Sequence, residues 1–146
     1  MLEFINYSVS LNNTNTLLIK DISFNLEKAQ SLGIVGESGS GKSLTALSAL
    51  GLLNKRIFST KGQVLVNRRN IYELADSELN NIRGNEISMI FQEPMLSLNP
   101  VKNLQSQIYE CAELSDQTLD HNDIRSSLNA VGLTDTKKIL NSYPHM

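Results

Sequence analysis

The sequence feature that most constrains this chain is a phosphate-loop motif, the pattern G-x-x-x-x-G-K-[ST]. The residues that match it are Gly36, Glu37, Ser38, Gly39, Ser40, Gly41, Lys42 and Ser43. Glycines let the backbone curl so that consecutive N–H groups face inward and bind phosphate oxygens. Lys42 can reach the β- and γ-phosphates, and the Ser43 hydroxyl can ligate a Mg²⁺ ion that bridges them. The motif therefore predicts a site for a magnesium nucleotide.

The residues on either side of the motif predict a strand before it and a helix after it. The apolar run Leu32–Val35 is typical of a strand buried in a parallel sheet. After the loop, Leu44, Leu47 and Leu50 recur at helical spacing. The free N–H groups and partial positive charge of a helix N-terminus favour an anion, so the predicted nucleotide contacts continue through Leu44.

This context excludes two other glycine-rich patterns. A flexible Gly/Ser linker would not lie between an apolar strand and a leucine-striped helix. A dinucleotide-binding loop would need a third glycine where Leu44 stands.

The composition is that of a globular protein of 146 residues, long enough for one domain with a sizeable core. The net charge is -2, and there is no basic cluster larger than a pair such as Arg68-Arg69, which argues against a nucleic-acid partner or an anionic lipid surface. Cys111 is the only cysteine, so an internal disulfide and a multi-cysteine metal site are excluded; we expect a small core residue in a reducing cytosol. We also expect neither export nor a membrane span, because no leader pattern and no long apolar run occur.

The N-terminal region predicts two strands that pair antiparallel, separated by a break at Asn12–Asn15. The inward residues of the first strand are expected to be Ile5, Tyr7, Val9 and Leu11. Those of the second are expected to be Ile22, Phe24 and Leu26.

Further elements follow the phosphate loop. Gly62–Val66 predicts a strand, Asn67–Asn70 a turn, and Leu74–Ile82 a helix. We expect Asp76 or Ser77 to cap this helix and Gly84 to end it. Ile87–Phe91 predicts a second dense apolar strand, which ends at Gln92-Glu93-Pro94.

The remainder of the chain predicts helices. One apolar stripe is Val101, Leu104, Ile108 and Ala112, and a second is Ile124, Leu128 and Val131, which Gly132 ends. His121 and His145 are isolated and lack metal-ligand spacing, so we expect ordinary surface residues.

Together with the phosphate loop, the segment from Met89 to Pro100, M-I-F-Q-E-P-M-L-S-L-N-P, closely resembles the ATP-binding subunit of ABC transporters, in particular the oligopeptide, dipeptide and nickel importer group. Ile82-Arg83-Gly84 and Ser142-Tyr143-Pro144-His145 are similar to that family as well. The resemblance implies an α/β fold: a phosphate-loop NTPase core with an antiparallel β subdomain at the N-terminus and a partial helical subdomain at the C-terminus. Residues 1–92 would form the β subdomain and core, and residues 93–146 the helical part.

By the same resemblance, Gln92 is the Q-loop glutamine, which helps ligate Mg²⁺ and lies at the hinge to the helical subdomain. An amide that can donate and accept, on a mobile segment, is suited to sensing the γ-phosphate. The implied cofactors are ATP and Mg²⁺. The implied partners are two membrane permease subunits, a second ATP-binding subunit and an extracytoplasmic solute-binding protein, with the chain peripheral on the cytoplasmic face of the inner membrane.

The chain departs from the family pattern at three places. Leu11 stands where an aromatic residue usually stacks on adenine, and Tyr7, on the same strand face, is not assigned that role. Ala29-Gln30 replaces a usual Gly-Glu turn. Arg68 stands where a turn glycine is common, which would be costly at positive φ.

Family members continue after the Tyr-Pro-His segment into a signature motif, a second nucleotide motif with its catalytic glutamate, and a switch histidine. We expect the chain to stop before these, to contain no catalytic residue, and to bind ATP without steady turnover. Glu93 is adjacent to the site but belongs to the hinge, so it is not expected to replace the base.

The leading interpretation is an energy-coupling ATP-binding subunit of a peptide or nickel importer. One alternative is a non-catalytic nucleotide-binding fragment or broken gene product. Another is a small phosphate-loop kinase, which would leave Gln92 and Ile82-Arg83-Gly84 unexplained.

Overall fold

The structure is a computed structural model that describes residues 1–93, 97–114 and 120–146. It divides into two compact units, residues 1–87 and residues 88–146. Pro94, expected to close a strand, lies outside the described residues. The domain boundary expected after residue 92 stays a prediction, because spatial compactness does not locate a functional hinge.

The first unit contains a four-stranded antiparallel sheet in the order β2-β1-β3-β4. Its strands are β1 (Leu2–Leu11), β2 (Leu17–Leu26), β3 (Phe58–Val66) and β4 (Arg69–Asn70). The predicted antiparallel pairing of the first two strands is confirmed. The third strand begins earlier than predicted because Phe58 already pairs with Leu11 of β1.

A bulge in β1 changes which of its residues face the core. Asn6 has a positive φ of 46°, and the pairing with β2 shifts register between Phe4 and Tyr7. An extra residue in one strand reverses the in–out alternation. Phe4, Tyr7 and Val9 are therefore buried, and the expectation that Ile5 faces inward is wrong.

The core of the first unit lies between this sheet and two helices, α1 (Lys42–Ala49) and α2 (Asp76–Asn85). Phe4 stacks on Phe24 with ring centroids 4.6 Å apart and meets Tyr7 edge-on at 5.2 Å. Leu79 and Ile82 of α2 are buried with them. The other buried members of this core are Val9, Ile19, Ala49, Leu53, Val64, Val66 and Ile71.

The two ends of α2 differ from the prediction. Neither Asp76 nor Ser77 is the cap: Ala75 is, and its N–H donates to the Glu78 carboxylate at 3.1 Å. The helix also continues through Gly84 to Asn85. Two features of Ile82 stabilise the extra turn. Its side chain is buried, and its carbonyl accepts the N–H groups of Glu86 and Ile87.

Neither of the two apolar runs expected as buried parallel strands is a strand. Leu32–Val35 and Ile87–Phe91 are irregular, and the side chains of Val35 and Ile90 are 92% and 91% exposed. A parallel strand is stable only when neighbours pair with its edges and other layers cover both faces. Among the described residues no segment pairs with either run, so apolar composition alone does not form a strand.

The second unit contains α3 (Leu104–Leu114), α4 (His121–Ala130) and α5 (Thr136–Asn141). The Asn103 side chain accepts the Ser106 N–H at 2.8 Å, so α3 starts after Asn103. Val101 is outside the helix and 80% exposed, contrary to the prediction. Cys111 is exposed as well; it is not a core residue, because the buried residue beside it, Ala112, takes the inward position.

The α4 helix begins at a strong cap and ends at glycine. The Asp120 carboxylate accepts the N–H groups of Asn122 and Asp123, and these hydrogen bonds, with Asp123 foremost, lower the pKa of Asp120. Gly132 has φ of 84°, which confirms the predicted helix end. His121 and His145 are exposed, as predicted. The α5 helix was not predicted.

Candidate functional site

The phosphate loop adopts backbone conformations that favour glycine. Gly39 and Gly41 have φ of 80° and 91°. A Cβ at Gly41 would also lie 3.3 Å from Cγ1 of Ile19 and 3.5 Å from the carbonyl oxygen of Leu18, both in β2. At Gly36 a Cβ would lie 2.7 Å from Oγ of Ser40. Conformation thus favours glycine at position 39, and both conformation and space favour it at Gly41.

Lys42 lies in the first turn of α1 and folds back over the loop. Its Nζ donates to the carbonyl oxygens of Gly36 at 2.8 Å and Glu37 at 2.6 Å, and to Oγ of Ser40 at 3.4 Å. The ammonium therefore closes the loop on itself. These contacts are exposed, so the ammonium can exchange these acceptors for phosphate oxygens at modest cost.

The N-terminal end of α1 is open toward the loop. Its N-cap is Gly41, which has no side chain to cap the first N–H groups. The Gly41 carbonyl accepts the N–H of Thr45 at 2.8 Å and the Thr45 hydroxyl at 2.9 Å, which fixes the first turn. Ser43 is exposed in that turn. The arrangement can present N–H groups and a hydroxyl to an anion with its metal.

The C-terminal end of α1 is closed by hydrogen bonds within the chain. Gly51, with φ of 63°, donates to the carbonyl of Ser48, and Leu52 donates to that of Leu47, which forms a Schellman motif. The guanidinium of Arg83 in α2 donates to the carbonyls of Leu50 and Gly51, at 2.8 Å each.

Two tyrosines connect α1 to the sheet. The hydroxyls of Tyr7 and Tyr72 are 2.7 Å apart, and the Tyr72 hydroxyl donates to the Ser48 carbonyl at 3.2 Å. Burial raises the pKa of both tyrosines above the ordinary value. Tyr7 is fully buried, a core residue rather than a base-stacking one. Sequence reasoning missed the contact of Tyr72 with Tyr7, because β1 is distant in the chain. It also missed the contacts of Arg83, because their acceptors are backbone carbonyls, which no residue type reveals.

The other expected site residues lie apart from the loop in the chain. Gln92 is exposed and belongs to the second unit, so its role as a magnesium ligand with Ser43 stays a prediction. Leu11, at the end of β1, is half-buried. Its partner across the sheet is Phe58, an aromatic residue packed against the core.

The profile of the ABC transporter family matches residues 19–146. The chain belongs to this family. It is 43% identical over 137 residues to the dipeptide transport ATP-binding protein DppD of Lactococcus lactis subsp. cremoris, covering 87% of the chain and 38% of that protein. It is 42% identical over 132 residues to the oligopeptide transport ATP-binding protein OppD of Escherichia coli, with the same coverage. The chain thus spans less than half the length of these curated relatives.

Solved ABC proteins share the fold. The chain superposes with a TM-score of 0.75 on an ATP-binding cassette solved as a post-hydrolysis dimer bound to ADP and phosphate, at 19% identity, covering 99% of this chain and 62% of that one. An ATP-binding subunit of an ABC transporter gives 0.70 at 17% identity, covering 99% and 55%. The predicted fold class and the resemblance to the oligopeptide and dipeptide group are confirmed. The prediction that Leu32–Val35 and Ile87–Phe91 are strands is wrong.

Proposed function

We propose that this chain binds Mg-ATP through its phosphate loop and serves as the energy-coupling ATP-binding subunit of an importer for peptides. The observation that carries the proposal is the loop itself: a curled backbone with glycines at positive φ, a lysine folded over it, and an uncapped helix N-terminus. Family membership and the names of its relatives support the same function.

The proposed roles follow from the chemistry of each group. The backbone from Gly36 to Leu44 surrounds the phosphates, and Lys42 leaves the carbonyls of its own loop to bind the β- and γ-phosphates. Ser43 and Gln92 ligate Mg²⁺, which bridges the phosphates and offsets their charge. A kinase is disfavoured because the matching family region includes the whole Gln92 segment.

The proposed partners are those of an importer subunit: two membrane permease subunits, a second ATP-binding subunit and an extracytoplasmic solute-binding protein. The chain would act at the cytoplasmic face of the inner membrane. No helix in the described ranges is long and apolar enough to cross a bilayer. Peptides are the proposed solute class, and nickel stays a second candidate; one relative, of Salmonella choleraesuis, is a glutathione import ATP-binding protein.

Titration calorimetry tests the nucleotide site. Lys42→Ala should weaken Mg-ATP binding about 10- to 100-fold, the value of one or two charge-assisted hydrogen bonds. Lys28→Ala, which removes an exposed lysine of the same unit, is the matched control and should bind as wild type does. AMP should bind far more weakly than ATP, since the loop recognises the β- and γ-phosphates. Equal affinity of wild type and Lys42→Ala would refute the site.

The metal role has a separate test. Ser43→Ala should lose most of the difference between ATP affinity with and without Mg²⁺, while binding of metal-free ATP changes little. A variant that keeps the full magnesium effect would remove Ser43 from the metal site without affecting the assignment of Lys42.

A further inference from the structure

Arg83 lies in the last turn of α2, and its charged side chain donates to the two carbonyls that directly follow α1. Its Nε donates to the Leu50 carbonyl and its Nη2 to the Gly51 carbonyl, both at 2.8 Å, while Nη1 reaches Oδ1 of Asn80 at 3.3 Å. A guanidinium can hold two neighbouring acceptors at once because its donors form a rigid planar fork.

The two carbonyls belong to the C-cap residue of α1 and the residue after it, and no N–H of the helix reaches them. The Schellman motif occupies the carbonyls of Leu47 and Ser48. Leu50, the C-cap residue, and Gly51 follow Ala49, the last residue of α1, and no helical N–H comes after them. The Arg83 side chain takes these acceptors, and its charge lies at the negative end of the α1 dipole.

The α1 helix depends on such contacts. It has only eight residues, too few for a stable helix in water by itself, and its first N–H groups have no side-chain cap. Those N–H groups, with Lys42 and Ser43, are the groups that we propose bind phosphate. Because α1 is this short, we expect the position of its open end to depend on how firmly its other end is held.

We propose that Arg83 is a positioning residue for the phosphate loop. By fixing the C-terminal end of α1 to α2, it keeps the N-terminal end of α1 in the geometry that binds the nucleotide phosphates. This inference rests on the proposed function. Space at the contact is limited as well: a Cβ on Gly51 would lie 3.4 Å from Leu79 and 3.6 Å from Nη2 of Arg83.

The test compares Mg-ATP affinity and amide hydrogen exchange in the 146-residue chain. Arg83→Ala should weaken Mg-ATP binding about 5- to 20-fold, in the range of coupling between distinct sites, and should speed exchange in α1 even without nucleotide. Arg83→Lys, which keeps the charge and can serve one carbonyl, should recover part of the affinity. This partial recovery keeps the inference testable if the alanine variant does not fold.

Two controls separate positioning from general stability. Ile82→Val trims a buried neighbour in α2 without removing a donor, so it should lower stability but leave ATP affinity unchanged. Arg125→Ala removes an exposed arginine of α4 and should change neither. Wild-type affinity in Arg83→Ala, or equal losses in Arg83→Ala and Ile82→Val, would overturn the inference alone. Failure of the wild-type chain to bind Mg-ATP would overturn the proposed function as well.

Discussion

We predict that the hydroxyls of Tyr7 and Tyr72 are strongly coupled in stability. Tyr72→Phe removes the partner of the Tyr7 hydroxyl and a donor to the Ser48 carbonyl, so two part-buried groups lose a hydrogen bond. The expected cost is about 1–3 kcal/mol. Tyr7→Phe should cost about 0.5–1.5 kcal/mol, because Tyr72 keeps its bond to Ser48. Phenylalanine preserves both rings, so no cavity adds to either value.

The double variant decides the argument. With both hydroxyls gone, no orphaned hydroxyl is left, and the Ser48 carbonyl still accepts the Gly51 N–H at 3.0 Å. Its cost should therefore be no larger than that of Tyr72→Phe alone, a coupling of about 0.5 kcal/mol or more. Urea unfolding followed by far-ultraviolet circular dichroism measures all four chains, since there is no tryptophan to report. Costs that simply add would refute the shared hydrogen bond.

The same pair predicts a loss of stability in alkali. Burial raises the pKa of Tyr7 and Tyr72 in the folded chain, whereas in the unfolded chain the pKa is about 10. A raised folded pKa contributes stability that is present below about pH 10 and is lost as pH rises from there toward the folded pKa. The double phenylalanine variant should lose less stability above about pH 10 than wild type. Identical alkaline profiles would contradict the prediction.

Three further predictions concern single positions. Hydrogen bonds from Arg69 and then Asn67 lower the pKa of Glu86, so its contribution to stability should be present above the ordinary value of 4.5 and lost as pH falls below it. Glu86→Gln should therefore make the urea midpoint depend less on pH in acid. Arg68→Gly should increase the free energy of unfolding by about 0.5–1 kcal/mol and so raise the melting temperature, because Arg68 has φ of 67°, a conformation that costs glycine less than arginine. A lower melting temperature would count against backbone strain at this position. Val35→Lys should reduce light scattering of the purified chain with a stability change within about 0.5 kcal/mol, because the valine is almost fully exposed; unchanged scattering would exclude this run as an aggregation site.

The parts of the fold that depend on local pattern could be predicted from the sequence. Alternation identified β2 with Ile22, Phe24 and Leu26 on its more buried side, and the loop motif predicted a helix directly after it, which is α1. The end of α4 at Gly132 followed from the residue type alone. In these places the deciding interaction lies within a few residues of the signal, so a short window contains it.

Parts that depend on distant partners could not be predicted. The bulge at Asn6 moved Phe4 inward, and it sits where Ser23 Oγ accepts the Asn6 N–H at 2.8 Å, a contact across the sheet. The apolar run Leu32–Val35 has the composition of a buried strand, but a strand exists only when another segment pairs with it. The cap of α2 is a different case: the Glu78 carboxylate, only three residues on, accepts the Ala75 N–H, although Ala75 has no polar side chain of the kind that marks an N-cap.

In the candidate site, too, the motif could be identified from the sequence but its internal contacts could not. Those contacts order the loop without a ligand. The motif identified Lys42, but not that its ammonium binds the carbonyls of Gly36 and Glu37. These bonds hold the loop closed through neutral carbonyl acceptors. Charged phosphate oxygens would form stronger hydrogen bonds with the same ammonium. At the other end of α1, the Schellman motif occupies the carbonyls of Leu47 and Ser48, and Arg83 occupies those of Leu50 and Gly51. The bonds that the proposed nucleotide would replace thus lie at the open end of α1, and the bonds at its other end would stay in place.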